Sequence, residues 1–253
     1  MAGHSKWANI QHRKGAQDAK RNKLFTKIAK EIQIAAKLGG GDVDSNPRLR
    51  SAIQLGKKNS MPAKNIDNAI KRGTGEIESE ALAEINYEGY GPNGIAIFVE
   101  TSTDNKNRTV SDVRSSFTKG GGQLGANGSF DWMFERKGLI KVAYEHYKVE
   151  DDLLELVMEA GGEDLKRDGD MYEIYTAYED LFTVKDALEK LSVHIEEAEL
   201  TRVPKDTTEI TDVEEAVKVL KLLQRLDDCD DVMKVYSNFD CSDDVMEQAA
   251  DKL

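Results

Sequence analysis

The residues best placed to do chemistry are cations. Lys6, Arg13, Lys14, Lys20, Arg21, Lys23, Lys27 and Lys30 fall within the first thirty positions, against one acid, Asp18. Side chains of this kind neutralise phosphates, in a way that depends on salt and is indifferent to base sequence. Trp7 sits beside Lys6, with His4 and His12 on either side. A tryptophan in so polar a stretch has no core of its own to enter. It is placed either to stack on an unpaired base or to fold back as an anchor on the helices that follow. Asn9, Gln11 and Gln17 could reach base edges or ribose hydroxyls, but such residues are common and carry little weight.

Other chemistries fare worse. His4, His12, His146 and His194 show no HxxxH or HxH spacing, so no metal site is expected. Cys229 and Cys241 form no CxxC pair and read as two reduced structural thiols. No GxSxG, Walker A or GxGxxG motif occurs. The loop containing Gly121, Gly122, Leu124, Gly125 and Gly128 looks like a phosphate cradle, but no lysine follows its last glycine. It also leads into Phe130–Phe134, which reads as a strand rather than a helix. On spacing alone it is a structural loop. Paired acids such as Asp151/Asp152 and Glu196/Glu197 follow from an acidic composition and point to no acid–base pair. The expectation is a protein that is not an enzyme and needs no cofactor.

The elements that must carry these cations are set off by charge. The formal net charge is −12, but residues 1–75 hold 16 Lys and Arg against 5 Asp and Glu, a balance of +11. The other 178 residues carry −23. A basic end on an acidic body points to a polyanion met from one end only. No apolar run reaches the roughly 20 residues of a membrane-spanning helix, and the N-terminus has no apolar stretch to serve as a secretory signal. A soluble cytoplasmic protein with no membrane partner is expected.

Residues 1–22 lack apolar periodicity and read as a basic arm running into a helix. Leu24, Phe25, Ile28, Ala29, Ile32, Ala35 and Ala36 then recur at helical spacing until Gly39-Gly40-Gly41. Asn46-Pro47 caps and starts a second helix. Met61-Pro62 starts a third, which Gly73 is expected to stop. The second and third helices are joined closely enough for a helix-turn-helix, with Lys64, Lys71 and Arg72 on the last. Any short three-helix bundle shares that geometry.

From Glu76 the period switches. Ile85–Tyr90 and Ile95–Thr101 read as a hairpin, Val110, Val113 and Phe117 as one face of a helix, and Ser129–Phe134 as a further strand. The following segment reads βαββαβ, a ferredoxin-like order, and is complete by Val203. Yet a helix (Val213–Leu226) and a strand (Val232–Ser237) remain, which residues 79–134 lack as partners. The expected fold class is therefore α+β in three domains. Residues 1–78 form the basic arm and helical bundle, residues 79–134 plus 205–253 a discontinuous α+β domain, and residues 135–204 an inserted ferredoxin-like domain.

Several long motifs occur together. They are Gly3–Ile10 continuing through His12-Arg13-Lys14 to Lys20, Asn46–Arg50, Met61–Ile66, Tyr87–Pro92 and Gly121–Phe134. In this order the chain strongly resembles the YebC family over essentially its whole length. The resemblance implies one helical and two α+β domains, and raises a functional role for the Gly-rich loop. Family members are described as probable transcriptional regulators that bind DNA, whereas a mitochondrial relative is a translational activator and bacterial members are linked to stalled ribosomes. The resemblance thus implies a regulator of gene expression and leaves the nucleic acid open. The reading favoured here is a ribosome-associated translation factor that binds ribosomal RNA, with ribosomal proteins as further partners. The alternative is a DNA-binding transcriptional regulator.

Overall fold

In the computed structural model the backbone is described for residues 18–126 and 128–253, and side chains from residue 22 onward. The chain parts into two compact units, Met133–Lys205 and the remainder.

The larger unit begins with α1 (Asp18–Gly39), already helical six residues before its apolar period sets in. Ile28, Ile32, Ala35 and Ala36 on one face of α1 are buried by α2 (Pro47–Lys58) and α3 (Ala63–Thr74). Asn46 joins these helices. Its side chain accepts the Leu49 N–H at 3.1 Å, capping α2. Its amide nitrogen donates to the carbonyls of Ala35 and Gly40, each at 2.8 Å, at the end of α1. Gly73 does not stop α3, contrary to expectation. It lies inside the helix, where a Cβ would sit 2.4 Å from the Gln33 carbonyl oxygen, so glycine lets α3 cross α1 closely. The helix ends at Thr74 and is capped by Gly75, with φ +82°.

A four-stranded antiparallel sheet follows in the same unit. Strand β1 (Ala83–Tyr90) pairs with β2 (Ala96–Thr103) from Ala83↔Thr103 to Tyr90↔Ala96. The connecting turn places Asn93 at φ +58°. After α4 (Lys106–Lys119) comes β3 (Gln123–Leu124), two residues that pair with Gly89 and Tyr90 at the edge. The expected strand at Ser129–Phe134 is not formed. Residues Asp131–Met133 make a 3-10 turn, and only Phe134 is extended, as the first residue of β4 (Phe134–Ala143).

Strands β4, β5 (Asp164–Asp168), β6 (Met171–Ala177) and β7 (Glu197–Pro204) make the second sheet, in the order β5-β6-β4-β7. With α5 (Glu150–Glu159) and α6 (Leu181–Lys190) this is the ferredoxin-like βαββαβ arrangement. Its core holds Ile140, Leu153, Val157, Tyr172, Ile174 and Leu181.

The chain then returns to the first sheet. After β8 (Thr208–Glu209), α7 (Val213–Asp227) packs Leu220, Leu222, Leu223 and Leu226 against Ile97, Val99 and Phe117. Strand β9 (Val232–Ser237) pairs with β2, giving the order β3-β1-β2-β9. Strand β10 (Phe239–Asp240) runs parallel to β8, and α8 (Asp243–Ala250) covers the end of this core with Met246 and Ala249. Among the described residues no helix is long and apolar enough to cross a membrane.

Candidate nucleic-acid interface

Lys23, Lys27 and Lys30 are spaced four and three apart, which stacks them along one face of α1. That face meets the C-terminal end of α7, where the last carbonyls lack helical partners and the helix dipole is negative. Lys23 Nζ donates to the Asp228 carbonyl at 2.8 Å. Lys27 Nζ donates to the Asp227 carbonyl at 2.9 Å and its carboxylate at 2.7 Å. Lys30 Nζ donates to the carbonyls of Ser102 and Asp230 and, at 2.8 Å, to the Asp231 carboxylate.

Asp231 is the hub of this seam. Only 4% exposed, it also accepts from the Arg108 guanidinium at 2.8–3.1 Å and from Thr109 Oγ1 at 2.8 Å. Burial alone would raise its pKa. The hydrogen bonds from Lys30, Arg108 and Thr109, with the Lys30 charge, overcome that and hold it down at about 2. Arg108 is raised by the hydrogen bond it donates to Asp231, and by a second that it donates to Asp104. Of the candidate binding residues, Lys23 and Lys27 are therefore committed to internal partners, and Lys27 keeps only 16% of its side chain exposed. A cleft of about 500 Å³ beside Lys23 sets Lys23, Lys119 and Arg225 against Asp112, Asp228 and Asp230, so it carries no net draw for an anion.

Lys20 and Arg21 lie in the first turn of α1, where only the backbone is described. Lys6, Trp7, His12, Arg13 and Lys14 lie outside the described residues. On α3, Ile66 and Ala69 face the core, while Lys64, Asn65 and Arg72 are exposed. Lys71 is paired with Asp67 at 2.8 Å, and that hydrogen bond raises its pKa. Lys57 and Lys58, absent from the candidates above, are exposed in the last turn of α2. Two adjacent lysines closing a helix were the available signal.

The Gly-rich loop is ordered by a buried carboxylate. Glu88 on β1, 3% exposed, accepts the N–H of Gly128 at 2.8 Å and that of Phe130 at 2.5 Å. Gly125 N–H donates to the Glu88 carbonyl at 2.7 Å, Gly122 N–H to Phe117 and Gly121 N–H to Thr118. All four glycine amides are thus spent internally, so the loop does not cradle a phosphate with them. Gly122 is needed for packing, since a Cβ there would lie 2.4 Å from the Tyr90 carbonyl oxygen. Leu124 is half-buried against the sheet core. What the loop offers outward is aromatic. Trp132 is 65% exposed, its indole N–H tied to the Ser129 carbonyl at 2.8 Å. Tyr90, 49% exposed, meets the buried Phe130 ring edge-to-face at 4.4 Å. Neither ring stands among the sequence candidates, because aromatic residues near a strand end read first as core.

Two family models match the chain. One, described as the TACO1/YebC protein N-terminal domain, matches residues 5–76, and the other, described as TACO1/YebC second and third domain, matches residues 82–239. The chain is 54% identical over 251 residues to a probable transcriptional regulatory protein of Persephonella marina, covering 99% of this chain and 100% of the relative. A protein of the same description from Chlorobaculum tepidum is 53% identical, with 97% and 98% covered. Among solved structures, a conserved hypothetical protein from Aquifex aeolicus matches with a TM-score of 0.83 at 49% identity, over 89% of this chain and 93% of that one.

Proposed function

The chain belongs to the TACO1/YebC family, and from that premise we propose that it is a non-enzymatic, nucleic-acid-binding regulator of gene expression that acts on ribosomal RNA. The observation that carries this reading is the allocation of charge. The mid-helix lysines of α1 are paired with Asp227, Asp228 and Asp231, whereas Lys57 on α2 and Lys64 and Arg72 on α3 are exposed, and Lys6, Arg13, Lys14, Lys20 and Arg21 are candidates on the sequence alone. The acidic remainder of the chain, −23 over 178 residues, repels the same polyanion and restricts how the two can meet. Folded RNA with splayed bases suits that restriction, and Trp7, Tyr90 and Trp132 supply rings on which such bases stack.

A second reading is supported by the relatives, which are named probable transcriptional regulatory proteins. It places α3 in a DNA groove, with Lys64, Asn65, Asn68 and Arg72 toward the bases. The pairing of Lys71 with Asp67 weakens that face by one cation.

The test is a pair of measurements at matched moderate salt. One is co-sedimentation with ribosomal particles, the other retention on promoter DNA. The RNA reading expects co-sedimentation that the quadruple variant Arg13→Ala/Lys14→Ala/Lys20→Ala/Arg21→Ala abolishes. Sequence-selective retention on DNA without ribosome association overturns it in favour of the second reading.

A further inference from the structure

We propose that His146, His194 and Glu196 form a binding site for a divalent transition-metal ion of the zinc class. The site lies in the ferredoxin-like unit, far from the basic residues of the proposed function in sequence and independent of that function. One ligand atom from each of the three side chains lies within 4.8 Å of the others. The two imidazole rings meet edge-to-face with centroids 5.2 Å apart, and His194 Nε2 is 3.5 Å from a Glu196 carboxylate oxygen. Two imidazoles and a carboxylate, with water in the fourth position, are a donor set that borderline divalent cations favour.

The backbone already holds the ligands in place. His146 stands in a 3-10 turn directly after β4, whose Tyr147 N–H donates to the Tyr144 carbonyl. His194 follows Val193, which is buried in the core and donates to the Leu188 carbonyl. Glu196 N–H donates to the Lys141 carbonyl on β4. The Tyr147 hydroxyl donates to the Ser192 carbonyl at 3.4 Å, tying the His146 segment to the His194 segment. Only side-chain rotation remains. A tetrahedral ion with bonds of about 2.0–2.1 Å needs its donors roughly 3.3 Å apart, which asks the rings to close by about 1.5 Å at most. Both imidazoles are exposed, so no core packing opposes that rotation. Glu145, with a carboxylate oxygen 3.9 Å from His146 Nε2, adds negative potential for a cation. A bound ion would staple the turn after the first strand of this unit to the loop before its last.

The experiment is a titration of the full-length, untagged chain with zinc chloride, followed by calorimetry and by competition with a chromophoric chelator. Copper(II) serves as the spectroscopic probe, since it binds such donors more tightly than zinc. One equivalent of zinc is expected to bind saturably and to raise the melting temperature. His146→Ala and His194→Ala should each lower affinity by about tenfold or more. Each should also remove one nitrogen from the copper(II) paramagnetic resonance pattern. Glu196→Gln should weaken zinc binding while keeping both nitrogens. The variant His4→Ala/His12→Ala controls for the amino-terminal histidines and should bind like the parent. Circular dichroism confirms that the variants fold, as substitution of exposed side chains permits. Absence of saturable binding, or binding unchanged in His146→Ala/His194→Ala, overturns the proposal.

Discussion

Asp231→Asn removes the charge at the hub of the α1–α7 seam while keeping the shape of the side chain. A carboxylate held at about 2 against its ordinary 3.8 contributes about 2 kcal/mol of stability at neutral pH. Because its pKa is depressed on folding, that contribution is complete well above pH 3.8 and fades as pH falls through 2. Roughly 1 kcal/mol of it is already gone at pH 3. The substitution also leaves Lys30 and Arg108 facing a neutral group. Lys30 retains the carbonyls of Ser102 and Asp230, and Arg108 retains Asp104, so the loss stays below the roughly 3–5 kcal/mol of a fully broken buried pair. Urea denaturation at pH 7 should therefore show Asp231→Asn less stable by about 2–3 kcal/mol, with an unchanged slope. At pH 3 the gap should narrow by about 1 kcal/mol, because the parent loses what the variant never had. A difference below about 0.5 kcal/mol at pH 7, or one that does not narrow at pH 3, refutes the assignment of Asp231 as the hub.

Further outcomes are expected from the same geometry. Replacing Arg13, Lys14, Lys20 and Arg21 with alanine should flatten the log–log salt dependence of RNA binding by about 0.7–0.9 for each phosphate no longer neutralised, measured by filter binding. Lys27→Ala/Lys30→Ala should instead lower stability and leave that slope unchanged, and a changed slope would return these lysines to the interface. Glu88→Gln leaves one loop amide without its acceptor, so about 1–3 kcal/mol of stability should go, with faster hydrogen exchange at Gly128 and Phe130. Protection equal to the parent's would show that the carboxylate does not order the loop. Trp132→Ala should change stability by no more than about 0.5 kcal/mol, the side chain being exposed. It should weaken binding to ribosomal particles by about 1–3 kcal/mol, and unaltered binding would remove Trp132 as a stacking surface.

What a sequence discloses, and what it hides, follows from how local each signal is. The helices of the bundle and the βαββαβ order each carry their own apolar period, so Ile28/Ile32 and Leu153/Val157 betray buried faces without knowledge of their partners. The return of the C-terminal segment is legible because a helix and a strand are left over once the inserted unit is complete. Strand β3 is not, because Gln123 and Leu124 are extended only where the edge of β1 offers Gly89 and Tyr90. Phe130-Asp131-Trp132-Met133-Phe134 is rich in the aromatic residues of a strand, yet Glu88 draws in the amides of Gly128 and Phe130 and the chain turns instead. A glycine inside α3 reads as a stop when the helix it crosses is out of view. The lysines of α1 read correctly as cations in search of anions. Their anions lie some two hundred residues downstream, beyond any local pattern.

That separation has a consequence in time. Lys30 leaves the ribosome 201 residues before Asp231. At about 5–20 residues per second, this leaves the basic face of α1 without its acidic partners for roughly 10–40 s of synthesis. Strand β2 waits about two-thirds as long for β9, whereas every strand and helix of the unit Met133–Lys205 is present once β7 has emerged. The inserted unit can therefore be complete while the domain that contains it is still half made. Through that interval the nascent chain presents uncovered lysines beside ribosomal RNA, and the last acidic segment to emerge is the one that takes them out of play.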